Sequence, residues 1–267
     1  MGSSAFYLPL GDDRYVSTEH TGGPWSPDSQ HMGPPSGLLT RELERVPTGL
    51  TDTGSGVPPS IARITVEILG PVPVAELRVR SSVQRSGRSV ELLSAELSAG
   101  SRPVARALAW RLTGTDTRAV AAGAGDPLPS PEQAEPQFAK PEGWLSGYLD
   151  AMELLSVRGG LGPVGPATLW LRQRVPLVDG EPPSGLQRLM TVADTGNGAS
   201  NRLDLRHWLF INTELTVHIW RVPTGEWIGL DADTAIGPNG VGTATSKLHD
   251  TDGPVGRGAQ ALLVRPR

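Results

Sequence analysis

PPSGLLTRELERV (Pro34–Val46) and PPSGLQRLMTVAD (Pro182–Asp194) open on the same five residues, 182 − 34 = 148 positions apart. Each reads as the start of a helix, because proline is tolerated in the first helical turn, where an N–H would have no partner. In the first copy Leu38, Leu39, Leu43 and Val46 form an apolar stripe, with Arg41, Glu42, Glu44 and Arg45 off it. In the second copy Leu186, Leu189, Met190 and Ala193 fall at helical spacing. That segment is more apolar all round, which predicts the deeper burial of the two.

A second match follows in the same order. Pro-Val-x-Arg occurs at Pro103–Arg106 and at Pro254–Arg257, 254 − 103 = 151 positions apart. At this offset ITVEILGPVP (Ile64–Pro73) lies over LTVHIWRVPT (Leu215–Thr224). One three-residue insertion after the helix reconciles the two offsets. Periods of about 20–50 residues signal solenoids; a period three times longer signals a duplicated domain.

After each helix the pattern changes to strands. Ile64, Val66 and Ile68 alternate with polar residues, as do Leu77 and Val79, then Val90 and Leu92. Turn signals separate them, GPVP at Gly70 and SAGSRP at Ser98, with VPTGE at Val222 and GPNG at Gly237 in the later copy. Strand candidates also precede the helices, at Tyr15–Thr18 and Thr168–Val175. Each half is expected to hold a strand, a helix and an antiparallel meander, an α+β arrangement in which helix and sheet bury one face of each other. The expected boundaries are 1–115 and 141–267, joined by a linker over 116–140 that is rich in Ala, Gly and Pro and lacks periodicity.

Composition narrows the chemistry. The chain has 267 residues, a net charge of −4 and no cysteine. Disulfides, thiol nucleophiles and thiolate metal sites are excluded. Lys and Arg are scattered, so no nucleic acid is expected as a partner. No apolar run approaches the ~18 residues of a membrane span, and the N-terminus lacks a basic segment followed by an apolar one. A soluble, cytoplasmic protein is the expectation. His20, His31, His207, His218 and His249 show no paired metal-ligand spacing, so no metal or cofactor is expected. Asp-Thr-Gly occurs at Asp52 and Asp194, but 194 − 52 = 142 matches neither repeat offset, and neither copy follows a buried strand as an aspartic protease requires. No G-x-S-x-G elbow is present.

Strand, long helix and wrapping antiparallel sheet, twice over, resembles the acyl-CoA thioesterase II family, a tandem (double) hotdog. GGPW (Gly22–Trp25) and HMGPPSGLL (His31–Leu39) resemble the family's entry to its first helix, and RSGRSVELLSAEL (Arg85–Leu97) resembles its R-x-G-x-S strand opening. ADTGN (Ala193–Asn197), INTELTVHIWR (Ile211–Arg221) and GRGAQALLVR (Gly256–Arg265) resemble the segments that carry the family's catalytic Asp, Thr and Gln. The resemblance implies Asp194 and Gln260 as catalytic residues. The Thr position departs: Asn212 aligns there, with Thr213 beside it. Successive strand residues face opposite sides, so one of the two is expected at the site.

The resemblance implies hydrolysis of acyl-CoA thioesters in fatty acid metabolism, with a water polarised by Asp194 and oriented by Gln260 and Asn212 or Thr213. Backbone donors at the second helix's N-terminus, Ser184 and Gly185, would hold the oxyanion. His31, Gly33 and Asn197 complete the expected substrate contacts. It also implies that any homodimer joins two double hotdogs. The alternatives are an acyl-CoA or lipid-binding protein without catalysis, and a hotdog hydratase or dehydratase. The last needs an Asp–His pair, which the aligned positions do not supply.

Overall fold

Alternation along the chain is what the sheet is built from. In β5 (Val90–Ala99) Glu91, Leu93, Ala95 and Leu97 are buried and their neighbours are not. In β13 (Val241–Asp250) Gly242, Ala244, Ser246 and Leu248 alternate in the same way, until His249 and Asp250, which are buried as well. The two strands begin 241 − 90 = 151 residues apart, the offset read from the sequence. The computed structural model describes residues 5–23, 26–136, 147–204 and 206–267; Pro24 and Trp25 of the GGPW motif fall outside them.

The first half contains β1 (Tyr7–Gly11), β2 (Arg14–Ser17), α1 (Gly33–Arg45), β3 (Ser60–Ile68), β4 (Glu76–Arg85), β5 and β6 (Arg102–Leu112). The second contains β8 (Met152–Arg158), β9 (Ala167–Gln173), α2 (Gly185–Ala193), a short α3 (Gly196–Ala199), β10 (Trp208–Asn212), β11 (Glu214–Ile219), β12 (Ile228–Ile236), β13 and β14 (Gly253–Pro266). Between the halves, where the sequence shows no periodicity, the described residues form two single 3-10 turns and a two-residue strand, β7 (Glu135–Pro136), which pairs with β8.

All the strands join one antiparallel sheet. Its order is β1-β2-β4-β5-β6-β3-β11-β14-β13-β12-β9-β8-β7, with β10 also on β14. Read outward from the centre, β3-β6-β5-β4-β2-β1 on one side repeats as β11-β14-β13-β12-β9-β8 on the other. The seam shows why. Thr65 pairs with Thr216, its own repeat equivalent (65 + 151), and their hydroxyls are 3.1 Å apart. Ile64 faces Val217 and Val66 faces Leu215 on either side. A contact in which residue i meets j and j meets i is isologous; the two halves pack as a two-fold pair within one chain.

Each half wraps its sheet around one helix, which is the tandem hotdog the sequence led us to expect. The helices run antiparallel and touch closely. A Cβ at Gly33 would lie 2.3 Å from the Thr191 main-chain oxygen, and one at Gly37 would lie 2.4 Å from Thr191 Oγ1. Glycine at i and i+4 on α1 is what lets α2 come this near. Leu38, Leu39 and Leu43 are wholly buried, each contributing about 1.5–3 kcal/mol.

The expectation that α2 lies deeper than α1 is corrected. Every residue of α1 from Gly33 to Leu43 is buried, whereas Gln187 and Arg188 of α2 are half-buried. Charge does not keep α1 at the surface because its charges are paired. Arg41 donates to Tyr15, Glu42 and Glu181, and buried charges are tolerated when paired and hydrogen-bonded. Among the described residues no helix is long and apolar enough to cross a membrane.

Candidate functional site

Antiparallel packing brings the N-terminus of α1 to the C-terminus of α2. A cavity of about 440 Å³ opens at that joint. Its wall is mostly apolar: Met32, Ile68 and Val72 come from the first half, and Leu149, Leu161, Leu209 and Phe210 from the second. Its polar end holds His31, Asp194, Thr195, Asn197 and Asn212. Among the described residues His31 and Asp194 are the only titratable side chains on the wall.

Asp194 is the residue where α2 stops, and it is 4 % exposed. Three side chains surround its carboxylate. Asn212 Nδ2, at the end of β10, donates to Oδ1 at 2.7 Å. Gln260 Nε2, on β14 and 2 % exposed, lies 3.3 Å from Oδ1 and 3.2 Å from the Asp194 main-chain oxygen. Gln260 Oε1 accepts from the Asn197 main-chain N–H at 3.0 Å. Gly196 makes this last contact possible, since a Cβ there would sit 2.9 Å from Gln260 Oε1. The Ala-Asp-Thr-Gly-Asn run therefore contributes a carboxylate, a gap for the glutamine and an amide that fixes its orientation.

The third side chain comes from the other half. His31 Nδ1 lies 3.1 Å from Asp194 Oδ2. The ring stacks on Tyr148, with centroids 3.9 Å apart and planes within 8°. Tyr148 is held in turn by the Thr191 carbonyl and by Thr195 Oγ1, both at 2.9 Å, and burial pushes its phenol pKa up. Burial also lowers the pKa of His31, and the charge of Asp194 opposes this only in part. The neutral imidazole is favoured.

Nδ1 is also 3.0 Å from the Gly33 N–H. A ring nitrogen has one in-plane position, so it either accepts from Gly33 or donates to Asp194. Only the Gly33 contact has hydrogen-bond geometry, so Nδ1 accepts and the neutral ring carries its proton on Nε2.

The structure brings Asp194, Gln260, Asn212, Asn197, His31 and Gly33 together. Thr213 also borders the cavity, but its hydroxyl turns to the Ala261 carbonyl at 3.3 Å. Ser184 and Gly185 are not brought to it. They begin α2, ten residues before Asp194, or roughly 15 Å at 1.5 Å per residue. Ser184 caps that helix and bonds the Glu44 carboxylate at 2.8 Å, and Gly185 packs against the Pro223 carbonyl. The helix N-terminus at the cavity is that of α1. The Asp–His pair that the aligned positions did not supply is present as His31–Asp194, and Tyr148, which the sequence reading missed, supports it. Among the described residues no three His, Asp or Glu side chains converge as a metal site would require.

The two-fold relation predicts a second such joint, where α2 begins and α1 ends. There Val46 stands for Asp194 (46 + 148), Ile61 for Asn212 and Ala109 for Gln260 (61 + 151 and 109 + 151), all buried. The space carries a buried ion pair instead. Arg111 bonds Glu91 at 2.6 Å and the Val46 carbonyl at 2.8 Å. Ser184 and Gly185 belong to this end.

Similarity to known proteins agrees with this geometry. Residues 129–264 match the family model of the acyl-CoA thioesterase C-terminal domain, and residues 21–112 match that of the N-terminal domain. Among solved structures, a conserved protein of unknown function with a hot dog fold from Alicyclobacillus acidocaldarius is 14 % identical, with a TM-score of 0.72 over 98 % of this chain and 97 % of that one. The tesB protein of Mycobacterium avium subspecies paratuberculosis is 13 % identical, with a TM-score of 0.67 over 97 % and 96 %. An acyl-CoA thioesterase II from Mycobacterium marinum is 16 % identical, with a TM-score of 0.62 over 98 % and 95 %. At these identities the structural likeness shows the fold alone. No curated protein matches the sequence. With a helix-wrapping sheet in each half, an apolar cavity at their joint and both domain models matched in order, the chain belongs to the acyl-CoA thioesterase family.

Proposed function

We propose that this chain hydrolyses acyl-CoA to a free carboxylic acid and CoA, using a water held at the Asp194–Asn212–Gln260 cluster. The observation that carries the reading is the cluster itself, three interlocked polar side chains at one end of an apolar cavity between the halves. An acyl chain gains from burial against Leu149, Leu161 and Phe210, and a volume of about 440 Å³ lies within the range of small-molecule pockets. The thioester carbonyl would meet the positive end of the α1 dipole; there Gly33 gives its N–H to His31 Nδ1, Pro34 and Pro35 carry none, and the Ser36 N–H bonds the Met32 carbonyl. No covalent acyl-enzyme is needed. The reading also divides the chain into hotdog domains at 1–115 and 141–267 around 116–140.

The test is release of free thiol from acyl-CoAs of graded chain length, in wild type and in Asp194→Ala. The expected result is turnover in wild type and its loss in the variant. Equal low rates in both proteins, at every chain length, would end the reading at this site.

A second reading rests on the His31–Asp194 pair, the acid–base couple that hydration of a 2-enoyl-CoA requires. Loss of the enoyl absorbance without thiol release would favour it.

A further inference from the structure

We propose that the Nε2–H of neutral His31 holds the oxyanion that forms when water attacks the thioester, an inference that rests on the thioesterase reading and deepens it. The need for a side chain arises in the first turn of α1. Gly33 gives its N–H to His31 Nδ1, Pro34 and Pro35 have none, and the Ser36 N–H is bonded to the Met32 carbonyl. The helix dipole is positive there, but this turn leaves the substrate no amide. The Gly33 bond is also what makes the ring a donor. Nδ1 gives its lone pair to that N–H, so the neutral ring carries its proton on Nε2. Burial lowers the pKa of His31, which favours the neutral ring. Nε2 has no hydrogen-bond partner among the described residues. It is not sealed in, since the side chain is 14 % exposed and borders the cavity. The Tyr148 stack fixes the ring plane. A neutral imidazole at a helix N-terminus is suited to polarising a carbonyl, and a donor fixed beforehand costs no reorganisation as the charge develops.

Asp194 is placed to take the proton. Its Oδ1 takes Asn212 and Gln260, whereas Oδ2 accepts no hydrogen bond among the described residues. Oδ2 stands 3.1 Å from His31 Nδ1, so carboxylate and imidazole share one wall of the cavity. A water O–H bond breaks as its oxygen bonds to the thioester carbon. The proton passes to Oδ2, and the carbonyl π pair moves onto the oxygen held by Nε2–H. When that pair returns, the C–S bond breaks with its electrons on sulfur, and the Oδ2 proton passes to the thiolate. Nε2 keeps its proton throughout.

His31→Asn and His31→Gln together are the discriminating variants. The Asn amide oxygen can take the Gly33 N–H in place of Nδ1, but its side chain stops short of the Nε2 position, which the longer Gln amide can reach. The expected result is a fall in kcat of about 10²–10³-fold in His31→Asn, with KM little changed and part of the loss recovered in His31→Gln. Retained kcat in His31→Asn, or an equal fall in both, would overturn the proposal. So would the same fall in Asn197→Ala with kcat intact in His31→Asn, which moves the donor to the other amide on this wall. Should the His31 variants not fold, long-range ¹H–¹⁵N correlation on wild type decides. A proton on Nε2 that shifts downfield with a ketone analogue of acyl-CoA, a methylene replacing its sulfur, supports the proposal. A proton on Nδ1, or an Nε2 proton unmoved at saturation, overturns it. Failure of the thioesterase reading looks different: folded wild type would release no thiol from any acyl-CoA, which removes the proposal along with it.

Discussion

Replacing Gly33 by alanine should loosen the joint on which the site depends. The added Cβ would lie 2.3 Å from the Thr191 main-chain oxygen and 3.1 Å from both His31 Nδ1 and a Tyr148 ring carbon. Since Cβ atoms essentially never come within 3.0 Å of a neighbour, α1 and α2 must part by at least 3.0 − 2.3 = 0.7 Å. The obstacle is backbone, so no side chain can turn away to absorb it. Overpacking of this kind costs about 1–3 kcal/mol. Alanine's helix preference returns at most about 1 kcal/mol. With the full return taken, a net loss of up to about 2 kcal/mol remains, which lowers Tm by up to about 8 °C in a protein of this size. The displacement falls between His31 and Asp194, where a shift near 1 Å can cost about 10²-fold in rate. A thermal melt and a thiol-release assay on one preparation measure both effects. Gly37→Ala serves as the comparison, since its nearest obstacle, Thr191 Oγ1 at 2.4 Å, is a hydroxyl that can rotate, and its effect should be smaller. Wild-type Tm and kcat in Gly33→Ala would refute the reasoning, because the helices could not then meet at Gly33.

Asn212→Ala removes a 2.7 Å bond to the Asp194 carboxylate; a bond to a charged group is worth about 1.5–3 kcal/mol, so kcat should fall by roughly 10- to 150-fold. Asn212→Thr keeps a donor on a shorter side chain and should lose less; steady-state kinetics of both variants would contradict the assignment if neither changed. His249, 2 % exposed on β13, has neither ring nitrogen bonded among the described residues, and burial lowers its pKa as it does that of His31. Below about 6.5 the unfolded chain binds protons that the folded chain does not, so stability is present above that pH and is lost as pH falls toward the folded values. The urea midpoint should drop between about pH 7.5 and pH 5.5, and His249→Leu should reduce the drop; an equally large drop in the variant would assign the acid sensitivity elsewhere.

Duplication was legible in the sequence because strands and helices repeat locally, and β5 and β13 begin at the expected offset. Asp194, Asn212 and Gln260 were legible as separate motifs, and the fold brings the three together. What local pattern cannot carry is which ends meet. His31 and Asp194 lie 194 − 31 = 163 residues apart, and only the antiparallel approach of α1 and α2 through Gly33 and Gly37 joins them. The same topology explains Ser184 and Gly185. The helix that carries the carboxylate begins at the far joint, so its N-terminus cannot serve its own C-terminus. Tyr148 sits in a turn before β8 with no periodicity to mark it, and its role follows from the ring it supports.

The most direct test is the structure of this protein bound to a thioether analogue of an acyl-CoA, which cannot be hydrolysed. A water within hydrogen-bond reach of the Asp194 carboxylate and in line for attack puts the carbon bonded to sulfur within about 6 Å of that carboxylate. The expected complex has that carbon at the α1 N-terminus and the acyl chain between Leu149, Leu161 and Phe210. An analogue seated elsewhere, with its sulfur far from His31 and Asp194, would contradict the account.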